Sequence, residues 1–289
     1  MFENDVSVII PAFNEAEIIG PLIERLKELY PSFEIIVVDD GSSDGTAEAA
    51  RAAGATVFSH PYNIGNGAAV KSGIRIASGG ILVFMDGDGQ HSPENITSLL
   101  ECFPEYDMVV GARPGKGHSS WGRAVGNTIY NRLASYVVRF PVKDLTSGFR
   151  AVRAEIARNF VYLLPNTYSY PTTLTLAVLR SGRSVKYVPI KSGKRQAGTS
   201  NIGMFRDGVR FFLIIAKICT LFSPFRIFLP VSVFFFFLGT VYYGYTFFAY
   251  HRFTNMSALL LTTSILVFMM GLISEQICQM RYDRSEGNR

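Results

Sequence analysis

Gly80-Ile-Leu-Val-Phe-Met-Asp-Gly-Asp-Gly-Gln-His91 decides how this chain is read. An uncharged apolar run ends in two carboxylates, Asp86 and Asp88, spaced i, i+2 where a strand opens into a loop. Carboxylates so placed can share one divalent cation, and a hard cation held by one or two carboxylates keeps positions open for substrate phosphates. A calcium loop of the EF-hand kind needs a Glu at its twelfth position, which here is Thr97, so that reading fails. Nothing beyond the two acids suggests a phosphoryl acceptor, which argues against an aspartate-nucleophile phosphatase. A purely structural turn is the bland alternative to a metal-bridged diphosphate.

Outward from this point, short apolar runs at Val6–Ile10, Glu34–Val38, Thr56–Phe58, Ile81–Met85 and Met108–Val110 alternate with helical patterns near 15–30, 44–53, 66–77 and 94–103. That alternation predicts an α/β domain with a mostly parallel sheet covered on both faces. No G-x-G-x-x-G follows the first strand, which disfavours the usual dinucleotide fold. The strand ends read Pro11-Ala-Phe-Asn-Glu15, Asp39-Asp40-Gly41-Ser42 and Asp86-Gly-Asp-Gly-Gln90. Ligands of open α/β sheets bind beyond the carboxyl ends of strands, so the three polar clusters are expected on one edge. Ser43 or Asp44 can cap the helix that follows the second cluster. Asp39 and Asp40 are not explained by capping, and carboxylates there can accept hydrogen bonds from a nucleobase or ribose.

The last quarter of the chain has a different character. Ile227–Tyr250 is 24 residues long and Phe253–Ser274 is 22, and neither contains Asp, Glu, Lys or Arg. Each exceeds the roughly 20 residues that span a bilayer core. The short turn His251–Asn255 predicts a hairpin with spans at about 227–250 and 256–278 inside a 226–280 module. Arg206, Arg210, Lys217 and Arg226 precede it and Arg281, Arg284 and Arg289 follow, against Arg252 alone in the turn. This asymmetry predicts a cell-membrane protein with two spans, its 1–202 domain and both termini cytoplasmic. No signal peptide is expected at the start, and 281–289 reads as a cytoplasmic tail. In Gly203–Phe222, Arg206, Arg210 and Lys217 fall within about 40° of one another on a helical wheel, with apolar residues around most of the rest. Residues 203–225 therefore read as an amphipathic interfacial helix, a third core helix being the alternative.

Charge is strongly segregated. Residues 1–107 carry 17 acids and 5 bases, 108–226 carry 3 acids and 19 bases, and 227–289 carry 3 acids and 4 bases, giving −12, +16 and +1 within the overall +5. A basic block leading into a hairpin suits anionic headgroups. No recognisable nucleic-acid motif accompanies it, so nucleic acid is not an expected partner. Cys102, Cys219 and Cys278 are far apart and fit a reducing compartment as packing residues. None of His60, His91, His118 and His251 has metal-ligand spacing with another. His91 is near enough to the Asp86–Asp88 pair to touch phosphate, or else lies in a solvated loop.

Val6-Ser-Val-Ile-Ile-Pro-Ala-Phe-Asn-Glu15, Ile36-Val-Val-Asp-Asp-Gly-Ser-Ser-Asp-Gly-Thr46, Gly65-Asn-Gly-Ala-Ala69, Asp86-Gly-Asp-Gly-Gln-His91 and Thr146-Ser-Gly-Phe-Arg150 together resemble the family 2 glycosyltransferases. Within that family the chain looks most like the dolichol-phosphate and bacterial polyprenyl-phosphate glycosyltransferases, over roughly residues 5 to 202. The resemblance implies a GT-A fold, a nucleotide-diphosphate sugar donor such as GDP-mannose or a UDP-hexose, a polyprenyl phosphate acceptor, and Mg²⁺ or Mn²⁺. It implies that Pro11, Ala12, Asn14 and Glu15 line base and ribose beside Asp39 and Asp40. Asp86, Gly87 and Asp88 would meet the donor, and Asp86, Asp88 and Gln90 the metal and diphosphate. Arg113, Arg123, Asn127, Arg195 and Ser200 would face the lipid phosphate, and Asp88 and Asp144 are the candidate catalytic acids. Asp144 could orient the acceptor or an arginine, or simply form an ion pair. Asn127 and Asn201 stand where dolichol-phosphate mannosyltransferases carry Ser and Lys. Related membrane-anchored enzymes suggest a homo-oligomer. Transfer to a glycan is the rival enzyme reading, but no Gln-x-x-Arg-Trp appears after residue 200. A non-catalytic subunit of lipid-sugar export is the rival from another class, and it would be expected to lose acids that are all present here.

Overall fold

In the computed structural model, the described residues are 5–112, 128, 131, 132, 134–136, 138–166, 170–190 and 223–286. They fall into two compact units, residues 1–135 with 140–203, and residues 136–139 with 204–289.

The first unit is built on a seven-stranded sheet in the order β3-β2-β1-β4-β6-β5-β7. Its strands are β1 (Val6–Ala12), β2 (Glu34–Asp39), β3 (Thr56–Ser59), β4 (Ile81–Phe84), β5 (Met108–Ala112), β6 (Arg150–Arg153) and β7 (Val185–Pro189). The β3-β2-β1-β4 half is parallel, β6 runs antiparallel to both β4 and β5, and β7 is parallel to β5. The helices are α1 (Ala16–Leu29), α2 (Thr46–Ala52), α3 (Asn66–Ile76), α4 (Asn95–Leu100), α5 (Ala154–Phe160) and α6 (Tyr170–Arg180).

β1, β4 and β5 are buried at every residue because helices cover both faces, and such strands read as continuous apolar runs. Val6, Val8, Ile10 and Ala12 join one core layer with Ile19, Leu22, Ile23 and Leu26, the i, i+3, i+4, i+7 face of α1. On the opposite face Ile9 packs directly on Gly73 of α3. The five expected strands are all present. β6 and β7 were not anticipated, and β6 makes the sheet mixed by inserting antiparallel between β4 and β5. The cap of α2 also differs from expectation. Gly45 occupies the capping position with φ 84°, while Asp44 accepts from Thr46 N at 3.1 Å.

The second unit carries α7 (Phe225–Tyr250) and α8 (Asn255–Glu286), joined by His251 in the left-handed conformation. Pro224 is the residue before α7, as expected. The hydroxyls of Ser232 and Ser264 each donate to the other's carbonyl at 3.0 Å, satisfying two polar side chains in an apolar seam. Gly239 and Gly271 let the helices close on Leu261 and Phe228. Glu275 Oε2 accepts the Phe225 amide at 3.2 Å, so a carboxylate in α8 caps the start of α7. Phe234, Phe237, Phe248 and Leu266 are exposed, and both helices are long and apolar enough to cross a membrane. The interfacial helix expected at 203–225 falls almost entirely outside the described residues, as does Cys219. Cys102 and Cys278 are buried, in keeping with packing roles.

Candidate active site

Because β2, β1 and β4 are parallel neighbours, the three polar clusters that follow them lie on one edge of the sheet. Ala12 is level with Asp39 across the β1–β2 ladder. Gly87 sits against the Pro11 carbonyl, where a Cβ would be 3.3 Å away, so the Asp86–Asp88 turn packs beside the first cluster.

The loops after β1 and β2 are stitched together. Asn14 N donates to Ser42 Oγ at 2.9 Å, and Ser43 N returns a bond to Asn14 Oδ1 at 3.0 Å. This exchange holds Asn14 at φ 56°, a conformation Asn tolerates better than most residues. Glu15 N donates to Thr46 Oγ1 at 2.9 Å and Ala16 N to Asp44 Oδ2 at 3.1 Å. Burial alone pushes the Asp44 carboxyl upward, but hydrogen bonds from Thr46 and Ala16 outweigh it and hold the group below its ordinary range.

The adjacent acids Asp39 and Asp40 are both buried but differently engaged. Asp39 Oδ1 accepts Ser42 N at 3.0 Å. Asp40 spends both oxygens on the β3–α3 loop, Oδ1 on Ile64 N at 3.0 Å and His60 Nδ1 at 2.6 Å, and Oδ2 on Gly65 N at 2.8 Å. Asp39 is thus the less heavily engaged member of the pair, while Asp40 braces a loop. Its partners lie 20 to 25 residues away, beyond what sequence spacing reveals.

Asp86 and Asp88 are partly exposed, and Asp88 Oδ1 accepts Gln90 N at 3.1 Å, which tightens the turn. A second segment meets them here. Gly148 lies against the Asp86 carboxylate, where a Cβ would be 2.5 Å from Oδ2. His91 is buried and stacks on Phe149 at 5.1 Å with 16° between ring planes. It is therefore not in a solvated loop. The segment itself is a turn in which Asp144 Oδ1 accepts Thr146 N and Ser147 N at 3.1 Å each. Arg150, fully buried, donates to the Ser147 and Pro171 carbonyls and to Thr175 Oγ1. Burial lowers the Arg150 pKa, opposed by Tyr170, Tyr187, Asp144 and Asp86, while burial pushes Tyr187 up to about 12. The Thr146-Ser-Gly-Phe-Arg150 motif is legible in the sequence, but the Gly148 and Phe149 contacts and the Arg150 clasp are not.

Among the described residues no group of three or more His, Cys, Asp or Glu could form a protein-only metal cage. Two partly exposed carboxylates with the Gln90 amide nearby instead fit a hard cation that takes its other ligands from phosphate and water. Gly148→Ala tests this cradle, because the atom in its way is the end of the Asp86 side chain. It is expected to leave the thermal midpoint nearly unchanged and to weaken Mn²⁺ binding, measured calorimetrically with nucleotide present, by about tenfold. Arg113, Arg123, Asn127, Arg195 and Ser200 all lie outside the described residues.

Residues 7–160 match the family described as Glycosyl transferase family 2, and residues 223–280 match the GtrB C-terminal hairpin. A protein of Micrococcus luteus named undecaprenyl-phosphate mannosyltransferase is 31% identical over 214 residues, covering 68% of this chain and 87% of that one. The dolichyl-phosphate hexose transferase of Haloferax volcanii is 30% identical over 219 residues, covering 75% and 94%. Among solved structures, glucosyl-3-phosphoglycerate synthase of Mycobacterium tuberculosis, in complex with Mn²⁺, uridine diphosphate and phosphoglyceric acid, aligns with a TM-score of 0.58. It is 24% identical and covers 74% of this chain and 77% of that one, a likeness of fold. The carboxylate-lined edge, the mixed sheet and the match over more than half the chain make this protein a member of glycosyltransferase family 2.

Proposed function

We propose that this enzyme transfers a hexose, with inversion, from a nucleoside-diphosphate sugar to polyprenyl phosphate. The observation that carries this reading is the presence on one chain of a carboxylate-lined donor edge and a C-terminal apolar hairpin. Relatives whose names specify undecaprenyl-phosphate mannose transfer and dolichyl-phosphate hexose transfer support it.

Asp39 takes the base, with Pro11, Ala12, Asn14 and Glu15 along the nucleoside, and Asp86, Asp88 and Gln90 hold Mg²⁺ or Mn²⁺. A divalent cation held there would supply Lewis-acid stabilisation to the departing diphosphate. The acceptor is already a nucleophile, since a phosphomonoester has its second pKa near 6 and is largely dianionic at neutral pH. Its oxygen forms the new bond to the anomeric carbon as the bond to the diphosphate breaks, so no strong general base is needed. Catalysis then rests on positioning and charge stabilisation. Arg113, Arg123 and Arg195, with Asn127 and Ser200, grip the lipid phosphate, and Asp144 orders the turn beside the metal ligands. In this reading the reaction runs at a membrane crossed by two spans, with the catalytic unit and both termini on the cytoplasmic side, which the excess of Lys and Arg in the segments flanking the hairpin supports.

Detergent-solubilised protein incubated with Mn²⁺ or Mg²⁺, undecaprenyl phosphate and a panel of UDP- and GDP-sugars is expected to yield one glycosyl-phosphate lipid by mass spectrometry. No product from any pair, in protein that still binds nucleotide, would overturn the lipid-phosphate acceptor.

A further inference from the structure

Ser72, His60 and Asp40 form a continuous hydrogen-bonded chain beneath the nucleotide edge. Asp40 is 3% exposed and His60 8%. His60 Nδ1 is 2.6 Å from Asp40 Oδ1 and Nε2 is 2.9 Å from Ser72 Oγ in α3. A carboxylate only accepts, so Nδ1 carries the proton shared with Asp40. The imidazole is fixed further by its own amide, which donates to the Asp39 carbonyl at 2.8 Å, and by the Phe58 ring, edge-on at 5.7 Å.

The outer end of the chain is the loop 60–65. Asp40 accepts two of its amides, those of Ile64 and Gly65. The loop backbone then lies on Gly41, where a Cβ would be 2.5 Å from the Tyr62 carbonyl carbon and 2.8 Å from Asn63 N. Gly41 also has φ +74°, so both the space and the conformation demand glycine. Next to it, Ser42 donates its amide to Asp39 Oδ1 and receives the Asn14 amide on its hydroxyl. His60 is thereby connected through Asp40 and the 60–65 loop to the turn that carries Asp39.

We propose that the Ser72–His60–Asp40 chain, buried at His60 and Asp40, is the positioning device of the nucleotide pocket, holding the 60–65 loop against Gly41 so that Asp39 is pre-aimed at the base. This rests on the donor reading above. His60 is a positioning residue, because the nucleotide contact is made by Asp39. A fully satisfied buried polar network of this kind rigidifies what it touches, and pre-organisation of a pocket is expressed in ligand affinity.

The test compares wild type with His60→Ala, His60→Asn and Ser72→Ala in full-length solubilised protein. UDP and GDP affinities are measured by calorimetry with Mn²⁺, donor KM and kcat by product formation, and thermal midpoint in parallel. His60→Ala is expected to weaken nucleotide binding by about tenfold and raise donor KM to match, with kcat at saturating donor within about threefold. His60→Asn, whose amide nitrogen can replace Nδ1 toward Asp40, is expected to recover most of that loss. Leu99→Ala, a core truncation on α4, serves as a control for destabilisation alone. If His60→Ala keeps nucleotide affinity within twofold, or if Leu99→Ala at equal loss of thermal midpoint weakens binding as much, the proposal is wrong. Should His60→Ala not fold, Ser72→Ala decides, with a two- to fivefold loss expected and no change overturning the idea. Wild type that binds neither UDP nor GDP would instead sink the donor reading itself.

Discussion

Asp86→Ala and Asp88→Ala are each expected to lower sugar transfer by on the order of a thousand-fold, ~4 kcal/mol of transition-state stabilisation, while the protein stays folded. The size follows from what the pair is asked to do. In the proposed reaction the acceptor is already charged, so the barrier lies mostly in the negative charge gathering on the leaving diphosphate, and these carboxylates would hold the cation that would stabilise it. The stability side follows from their setting. Both side chains are partly exposed and of like charge, so truncating either relieves their mutual repulsion, which in Asp86→Ala offsets the loss of its attraction to the buried Arg150. Transfer assays across a Mn²⁺ titration, alongside thermal midpoints, check both halves. Turnover that is unchanged in either variant would remove these residues from the chemistry. Loss of turnover with parallel loss of folding would assign them to structure instead.

The parts of the fold legible in sequence share one physical property. β1, β2 and β4 are buried on both faces, which forces uninterrupted apolar runs, and each is closed by polar residues that a buried strand cannot accommodate. β6 is just as buried, yet its four residues are Arg-Ala-Val-Arg, and two arginines conceal a strand from any reading based on apolar patterning. β7 is hidden in the same way, with Lys186 within it and Pro189 at its end, and it is only partly buried. The site divides along similar lines. The Asp86–Asp88 pair declares itself through local spacing, because a turn two residues wide fixes where both carboxylates go. Asp39 and Asp40 are indistinguishable as letters, and only partners at His60, Ile64 and Gly65 identify Asp40 as the one that braces a loop. Sequence proximity sets His91 beside the acids. Its burial depends on Phe149, a residue 58 positions later. The two long apolar helices needed no such long-range information, since length and lack of charge are properties of each segment alone.

Arg150→Met carries the second large effect, this time on stability. The side chain has no exposed surface, and its guanidinium reaches the carbonyls of Ser147 and Pro171 and the hydroxyl of Thr175, at 2.7 and 2.9 Å for the latter two. An arginine is costly to bury, and burial here lowers its pKa, yet the Asp144 and Asp86 carboxylates act in the opposite direction. Methionine fills a similar volume but leaves the carbonyls without their charged donor and removes the positive charge from beneath Asp86 and Asp144. Breaking such an arrangement from one side costs about 3–5 kcal/mol. At roughly 2–4 °C per kcal/mol for a domain of this size, the thermal midpoint of the catalytic unit should fall by about 10 °C. Arg150→Lys should lie between the two, since an ammonium keeps the charge but lacks the planar fork that spans these acceptors. Because the same clasp holds the turn that seats Gly148 against Asp86, Mn²⁺ affinity in the surviving folded protein should fall too, tying the stability of the turn to the readiness of the metal site. A midpoint within about 2 °C of wild type would mean that the guanidinium contributes no net stability here. A lowered midpoint with unaltered Mn²⁺ affinity would confine its role to the core.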